Sequence, residues 1–322
     1  MTKKIIIDTD PGIDDILAIL LANSIKDIDI LGISLVSGNV SYDEGLINLF
    51  RLSKFLNKKF NIYTATKIPL IREFVNAKDT HGEDGLGETY LPYDAYEYSD
   101  KGIDFILDTI SKDKDVTILA LGPLTNIATA LKKNKDAFRD IRVISMGGAF
   151  KSFGNCSPVA EYNFWVDPDA ADYVFKNLPT KLEVIPLDVT RKFVLTPSII
   201  SYLKRFNKDL GDFIEKITNF YTDFHWQYEK IIGSVINDPL TVLALTDDYL
   251  FTKKDYFCEV ETTSKTLGML IVDEMNFYKQ NPNATIYTDI DSKNAMIKFI
   301  DYLFFESEFT EKIIGGMYEK DQ

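Results

Sequence analysis

Histidine and cysteine are nearly missing from this chain of 322 residues: His81 and His225, Cys156 and Cys258 are all it has. Two cysteines make no disulfide framework, so a reducing, cytoplasmic setting is the expectation. So few histidines and cysteines also leave little for zinc, which prefers those ligands. No run of about eighteen apolar residues occurs, so no membrane-spanning helix is expected. Met1-Thr2-Lys3-Lys4, leading into a short apolar strand, does not read as a secretory signal. Cations are in deficit, 36 Lys and Arg against 49 Asp and Glu, for a formal net charge of −13. That balance disfavours nucleic acid and anionic membrane as partners and suits a small neutral or cationic one. Linkers rich in proline or serine, internal repeats and low-complexity tracts are absent as well, so residues 1–322 are expected to form one domain.

What the chain has in excess is carboxylate in one place. The strand-like Lys4-Ile5-Ile6-Ile7 runs into Asp8, Asp10, Asp14 and Asp15, four aspartates in eight residues, and an apolar helix follows at once. Ionised carboxylates this close repel one another, and desolvating them is costly unless a cation or substrate hydroxyls sit among them. Asp8 as a strand end, with Asp10 or Asp14 as a helix cap, explains one or two of the four but not all. Ligands of open α/β sheets bind beyond the carboxyl ends of the strands. The segment therefore reads as a site, and its oxygen-only donors favour a hard cation, Ca²⁺ or Mg²⁺.

Along the chain, strand-like runs at 4–8, 30–36, 61–65, 116–121, 141–146 and 182–187 alternate with helix-like runs at 13–23, 43–56, 103–112, 123–133 and 168–177. This alternation predicts an α/β fold, an open and mainly parallel sheet flanked by helices. Additional helices at 208–232, from about 238 and at about 290–304, with short strands near 257–262, 268–272 and 283–287, complete the C-terminal part. Polar residues collect where the strands end: Ser37-Gly38-Asn39, Gly122-Pro123-Leu124-Thr125-Asn126, Gly147-Gly148 with the loop to Asn155, Glu161 and Asn163, and Asn237-Asp238-Pro239. Singly, Asn39 is a turn residue, Thr125 a helix start and Asp238 a cap before a favoured proline; together they predict the rim of one pocket. The glycine-rich Thr80-His81-Gly82-Glu83-Asp84-Gly85-Leu86-Gly87 reads as a mobile surface loop able to close over a site.

The ordered motifs DTDPGIDD, SGN, THGEDGLG, LGPLTNIA, MGGA, GNCSPVAEYNFWVDPDAA and NDP, over roughly residues 4–245, resemble the inosine–uridine-preferring nucleoside hydrolases, which cleave the N-glycosidic bond of ribonucleosides. The resemblance implies a nucleoside hydrolase-like fold, a ribonucleoside substrate and a homodimer or homotetramer. It also implies Ca²⁺ held by the carboxylates of Asp10, Asp15 and Asp238 and the main-chain carbonyl of Thr125, with a water and the ribose 2′ and 3′ hydroxyls completing the shell. Asp10 would be the general base for water attacking C1′ through an oxocarbenium-like transition state. Asp14 and Asn39 would bind ribose hydroxyls, Asn155 and Glu161 the 5′-hydroxyl, and Asn163 the sugar. Met146 would pack near the ring, and His81 would lie at the 5′ side.

One position departs from the pattern. Where the best-known branch has a histidine before the last metal-binding aspartate, this chain has Asn237, and an amide delivers no proton near pH 7. His225, on the long helix, is the candidate replacement acid, with Tyr221 or Trp226 contacting the base; a partly buried aromatic helix is the competing explanation. The change also leaves open another N-ribosyl substrate, such as a nicotinamide-type riboside whose base leaves neutral. A non-catalytic nucleoside or ribose binder and, from Asp8-Thr9-Asp10, an aspartyl phosphatase are the remaining readings. Cys156 lacks an activating neighbour and does not read as a nucleophile.

Overall fold

Strand Lys3–Thr9 sits in the interior of the sheet, and its alternation explains the layers. Ile5 and Ile7 enter one hydrophobic cluster and Ile6 the other, so both faces of the strand are covered. The computed structural model describes residues 2–305; the expected domain 1–322 includes Met1 and residues 306–322, which lie outside the described residues. In chain order the elements begin β1 (Lys3–Thr9), α1 (Ile13–Ser24), β2 (Ile28–Leu35), α2 (Tyr42–Leu56), β3 (Ile62–Thr64), α3 (Lys78–His81), α4 (Gly102–Lys112), β4 (Val116–Ala120), α5 (Thr125–Lys133) and β5 (Arg142–Met146). They continue α6 (Tyr162–Val166), α7 (Pro168–Asn177), β6 (Leu182–Ile185), α8 (Leu187–Thr190), β7 (Val194–Leu195), α9 (Pro197–Leu203), α10 (Lys208–Glu229), β8 (Ser234–Val235) and α11 (Pro239–Thr246). The last are β9 (Phe251–Tyr256), β10 (Cys258–Val260), β11 (Leu270–Val272), β12 (Ala284–Ile290) and α12 (Ser292–Phe304).

Eight strands form one sheet in the order β3-β2-β1-β4-β5-β6-β12-β9, parallel throughout except for β9, which runs antiparallel to β12. Helices α1, α2, α10, α11 and α12 contribute to the cluster on one face, and α4, α5 and α7 to the other. This is the expected open, mainly parallel α/β architecture. Strand order reverses between β1 and β4, the switch point where such sheets open a crevice. Asp10 follows β1 and Thr125 opens the helix after β4, so the order of the strands brings them to that crevice.

The helix ends obey local rules. Ser41 caps α2 while Glu44 reaches back to the Ser41 N–H, and Asp167 caps α7 ahead of Pro168. Strand β9 has no counterpart among the expected strands. Its Lys253-Lys254-Asp255 stretch is charged because it lies at the sheet edge, where such residues discourage further pairing. The expected strands at 257–262 and 268–272 pair with each other as β10 and β11, outside the main sheet.

Candidate active site

At the carboxyl edge of the sheet a cavity of about 550 Å³ is lined by Asp14, Asn39, His81, Met146, Asn155, Glu161, Asn163, His225, Asn237 and Asp238 among others. Asp10, Asp15 and Thr125 stand behind this lining, each buried. Carboxylate oxygens of Asp14, Asp15 and Asp238 lie within 4.8 Å of one another, a set able to hold a metal ion. Asp10 adjoins this trio. Its Oδ2 accepts from the Asn39 N–H at 2.6 Å, and its Oδ1 is buried with no partner. Asp14 Oδ1 is likewise an orphan. Unpartnered, buried carboxylate oxygens are what a hard cation satisfies, so the residues fit one.

Burial, then repulsion from Asp15, holds the Asp10 carboxyl well above the usual range. Asp238 is raised the same way by burial and by Asp14 and Asp15. Its carboxylate makes no cap bond to α11, so helix capping does not explain it. Asp15 does help start α1: its Oδ2 accepts from the Gly12 N–H and from Asn39 Nδ2, each at 3.0 Å, while Thr9 holds Oδ1. Glycine is required around Asp10, since a Cβ at Gly38 or Gly122 would lie 2.0 or 2.4 Å from its oxygens. The Thr125 carbonyl lies in the first turn of α5 and accepts from Thr129 Oγ1 at 2.7 Å.

Next to the carboxylates, Asn163 Nδ2 donates to the carbonyls of Leu121 and Met146 at 2.7 and 3.2 Å, which anchors it beside Met146. Glu161 caps α6. Its carboxylate accepts backbone N–H bonds from Gly148, Asn163 and Phe164, yet burial pushes its pKa up to about 7. Asn155 is exposed on the rim and accepts from the Tyr162 N–H at 3.0 Å.

The expectation of a mobile surface loop at 80–87 is corrected. His81, Gly82, Asp84, Gly85 and Leu86 are buried. The Asp84 carboxylate accepts from the Leu86, Glu88 and Tyr90 N–H groups and pairs with Arg51 at 3.1 Å. This closed hydrogen-bond system, reaching α2 through Arg51, is what packs a polar, glycine-rich segment inside. It fixes His81, whose Nδ1 accepts from the Ile13 N–H at 3.1 Å and whose pKa burial lowers to about 4.

The other end of the cavity belongs to α10. Tyr221, His225 and Glu229, spaced four apart, fall on the face that lines it, with Phe224 and Tyr228 beside them. Trp226 does not line the cavity and is 53% exposed, which corrects its expected contact with the base; it sits one residue off that stripe. His225 Nδ1–H donates to the Tyr221 carbonyl at 2.7 Å, and burial lowers its pKa. Asn237 Nδ2 donates to Asp14 Oδ2 at 2.8 Å and to the Tyr221 hydroxyl at 3.2 Å. Arg191 and Glu229, paired at 3.0 Å, also line this end; they stand 38 residues apart, and nothing along the chain points to the pair. Burial pushes the Cys156 thiol up, in keeping with an inert cysteine.

Fold and site together define a doubly wound α/β protein with a carboxylate-floored, metal-competent pocket at its switch point. The chain belongs to the inosine-uridine preferring nucleoside hydrolase family, whose sequence model matches residues 5–296. It is 32% identical over 294 residues to the pyrimidine-specific ribonucleoside hydrolase RihB of Escherichia coli K12, covering 90% of this chain and 93% of the relative. Among solved structures it is similar to the purine-preferring ribonucleoside hydrolase from Gardnerella vaginalis (TM-score 0.88, 28% identity, 95% of this chain and 100% of that one). It is also similar to the plant nucleoside hydrolase PpNRh1 (TM-score 0.90, 27% identity, with the same coverage). The protein is thus an enzyme, a nucleoside hydrolase.

Proposed function

We propose that this chain hydrolyses the N-glycosidic bond of ribonucleosides with the aid of Ca²⁺, releasing base and ribose. The observation that carries this reading is the set of buried acids at the switch point, with orphan oxygens on Asp10 and Asp14 beside the Asp14–Asp15–Asp238 trio. Asp10, Asp15, Asp238 and the Thr125 carbonyl would hold the cation, an all-oxygen set suited to Ca²⁺. When bound, the cation supplies positive charge that acidifies a nearby water and attracts vicinal ribose hydroxyls.

Asp10, whose proton affinity burial and Asp15 raise, serves as the general base toward the attacking water. Asp14 and Asn39 orient the ribose diol; Asn155, Glu161, Asn163 and His81 hold the rest of the sugar, and Met146 packs against it. These carboxylates and amide oxygens face the positive charge that grows on the ring as the bond breaks. His225 stands at the base end. Its Nδ1–H is engaged by the Tyr221 carbonyl, so only the imidazolium has an Nε2–H to give a departing base.

Chromatography of products from inosine, uridine and cytidine, with Ca²⁺ and with chelator, tests the proposal. Base and ribose are expected with Ca²⁺ only, and not from Asp10→Ala; turnover unaffected by chelator or by that substitution refutes it.

A further inference from the structure

The polar groups at the α10 end have an unusual balance. Asn237 is 8% exposed and lines the cavity. Its amide orientation is fixed, because turning it over would set Oδ1 against the Asp14 carboxylate that now accepts from Nδ2 at 2.8 Å. Oδ1 is therefore left buried with no partner, an acceptor and not a donor. His225 repeats the pattern: with Nδ1–H donating to the Tyr221 carbonyl, the neutral ring offers only the Nε2 lone pair.

Among the described residues Arg191 is the one guanidinium in the lining, and all five of its N–H groups are taken. Nε donates to Glu229, Nη1 to Ser152 Oγ and the Phe153 carbonyl, and Nη2 to the Gly154 carbonyl and Glu229. It has nothing left for a base departing as an anion. The Nε2–H of His81 is a donor, but that ring is bound to Ile13 N at the start of α1, beside Asp15 and the sugar-side residues, and the Tyr228 hydroxyl, the other donor on α10, belongs to a side chain 63% exposed to solvent.

We infer that the α10 end of the pocket selects N-ribosides whose heterocycle carries positive charge and leaves as a neutral molecule, an inference that rests on the N-ribohydrolase reading above. The Asn237 and His225 acceptors and the nearby Asp14 carboxylate complement such a ring, where they oppose a base that must depart with negative charge. The step balances without an added acid. The C1′–N bond breaks with both electrons going to the ring nitrogen, which loses its formal charge, while positive charge passes to the ribose. Water then adds at C1′ and its proton goes to Asp10. Asn237 is the specificity-determining residue in this scheme.

The test compares kcat/KM for nicotinamide riboside, uridine and inosine at pH 8 in the Ca²⁺-loaded enzyme, and repeats it with Asn237→His, which restores a donor. The cationic riboside is expected to lead by about tenfold or more, the scale of one hydrogen bond to a charged group, and the variant is expected to erase that lead. Uridine or inosine turning over as well as the cation, or an unchanged ratio in Asn237→His, overturns the inference while leaving the hydrolase reading intact. Absence of ribose from all three refutes the hydrolase reading itself. Calorimetry on Asp10→Asn then decides the inference alone: tighter binding of nicotinamide riboside than of its neutral dihydro form supports it, and equal or weaker binding overturns it.

Discussion

At the scale of single residues, environment assigns chemistry that residue type does not. Four aspartates share one short segment, yet Ser34 and Asn126 both donate to Asp8 Oδ1, while Thr9, Gly12 and Asn39 occupy both oxygens of Asp15. Asp8, Asp10 and Asp14 each keep an unsatisfied oxygen, of which those of Asp10 and Asp14 belong to the acid cluster of the site. His225 has a signed consequence. Burial lowers its pKa, so the cationic form that can protonate a leaving base declines as pH rises through that lowered value. For uridine, kcat is expected to fall with rising pH below neutrality in the wild type. His225→Gln flattens that limb and lowers the acid-side rate about 10²-fold, the usual yield of a general acid. A pH series with both proteins checks this, and an identical profile in the variant excludes His225 as the acid.

Among the elements, the segment around α3 carries the most consequence, since apart from Leu86, which joins the core, its burial rests on one ion pair and the hydrogen bonds around it. Arg51 on α2 is 9% exposed and binds the Asp84 carboxylate, Asn48 Oδ1 and the Leu91 carbonyl. Removing one partner of a buried pair leaves the other uncompensated, at a cost of about 3 kcal/mol. Arg51→Ala is expected to lower the urea midpoint accordingly with little change in m. KM for ribonucleosides should rise too, because His81 sits on the loosened segment. Unchanged stability would mean that the backbone N–H groups alone hold Asp84.

For the whole molecule, the acid cluster ties stability to pH and to metal. Burial raises Asp8 from 3.8 to about 7 and Glu161 from 4.5 to about 7, and it raises Asp10, Asp14, Asp15 and Asp238 as well. A carboxyl that binds its proton more tightly folded than unfolded gives stability fully present below about pH 4. That stability is lost as pH climbs through the folded value near 7. Chelator-treated protein is thus expected to melt progressively lower from pH 4 to pH 8. Ca²⁺, which takes the place of those protons, should stabilise most at the alkaline end, by about 2.7 kcal/mol at a hundredfold excess over Kd. Calorimetric scans with and without chelator at pH 5 and pH 8 test this, and a Ca²⁺ effect independent of pH would show that the cluster is not the binding site. Among the described residues, no helix is long and apolar enough to cross a membrane.

The sequence alone determined the parallel α/β alternation, the acidic strand end and the departure at Asn237, because periodicity, helix capping and charge density are properties of neighbours along the chain. Tertiary structure decided what those residues face. Asn237 meets Asp14 across 223 positions and Tyr221 meets Asp14 across 207, contacts set by strand order and by the docking of α10. The same packing buried a polar, glycine-rich segment that reads as a surface loop, exposed Trp226, and engaged every donor of Arg191. Hydrogen-bond satisfaction and desolvation depend on partners distant in the chain, and they decide which oxygen is left for a cation or a substrate.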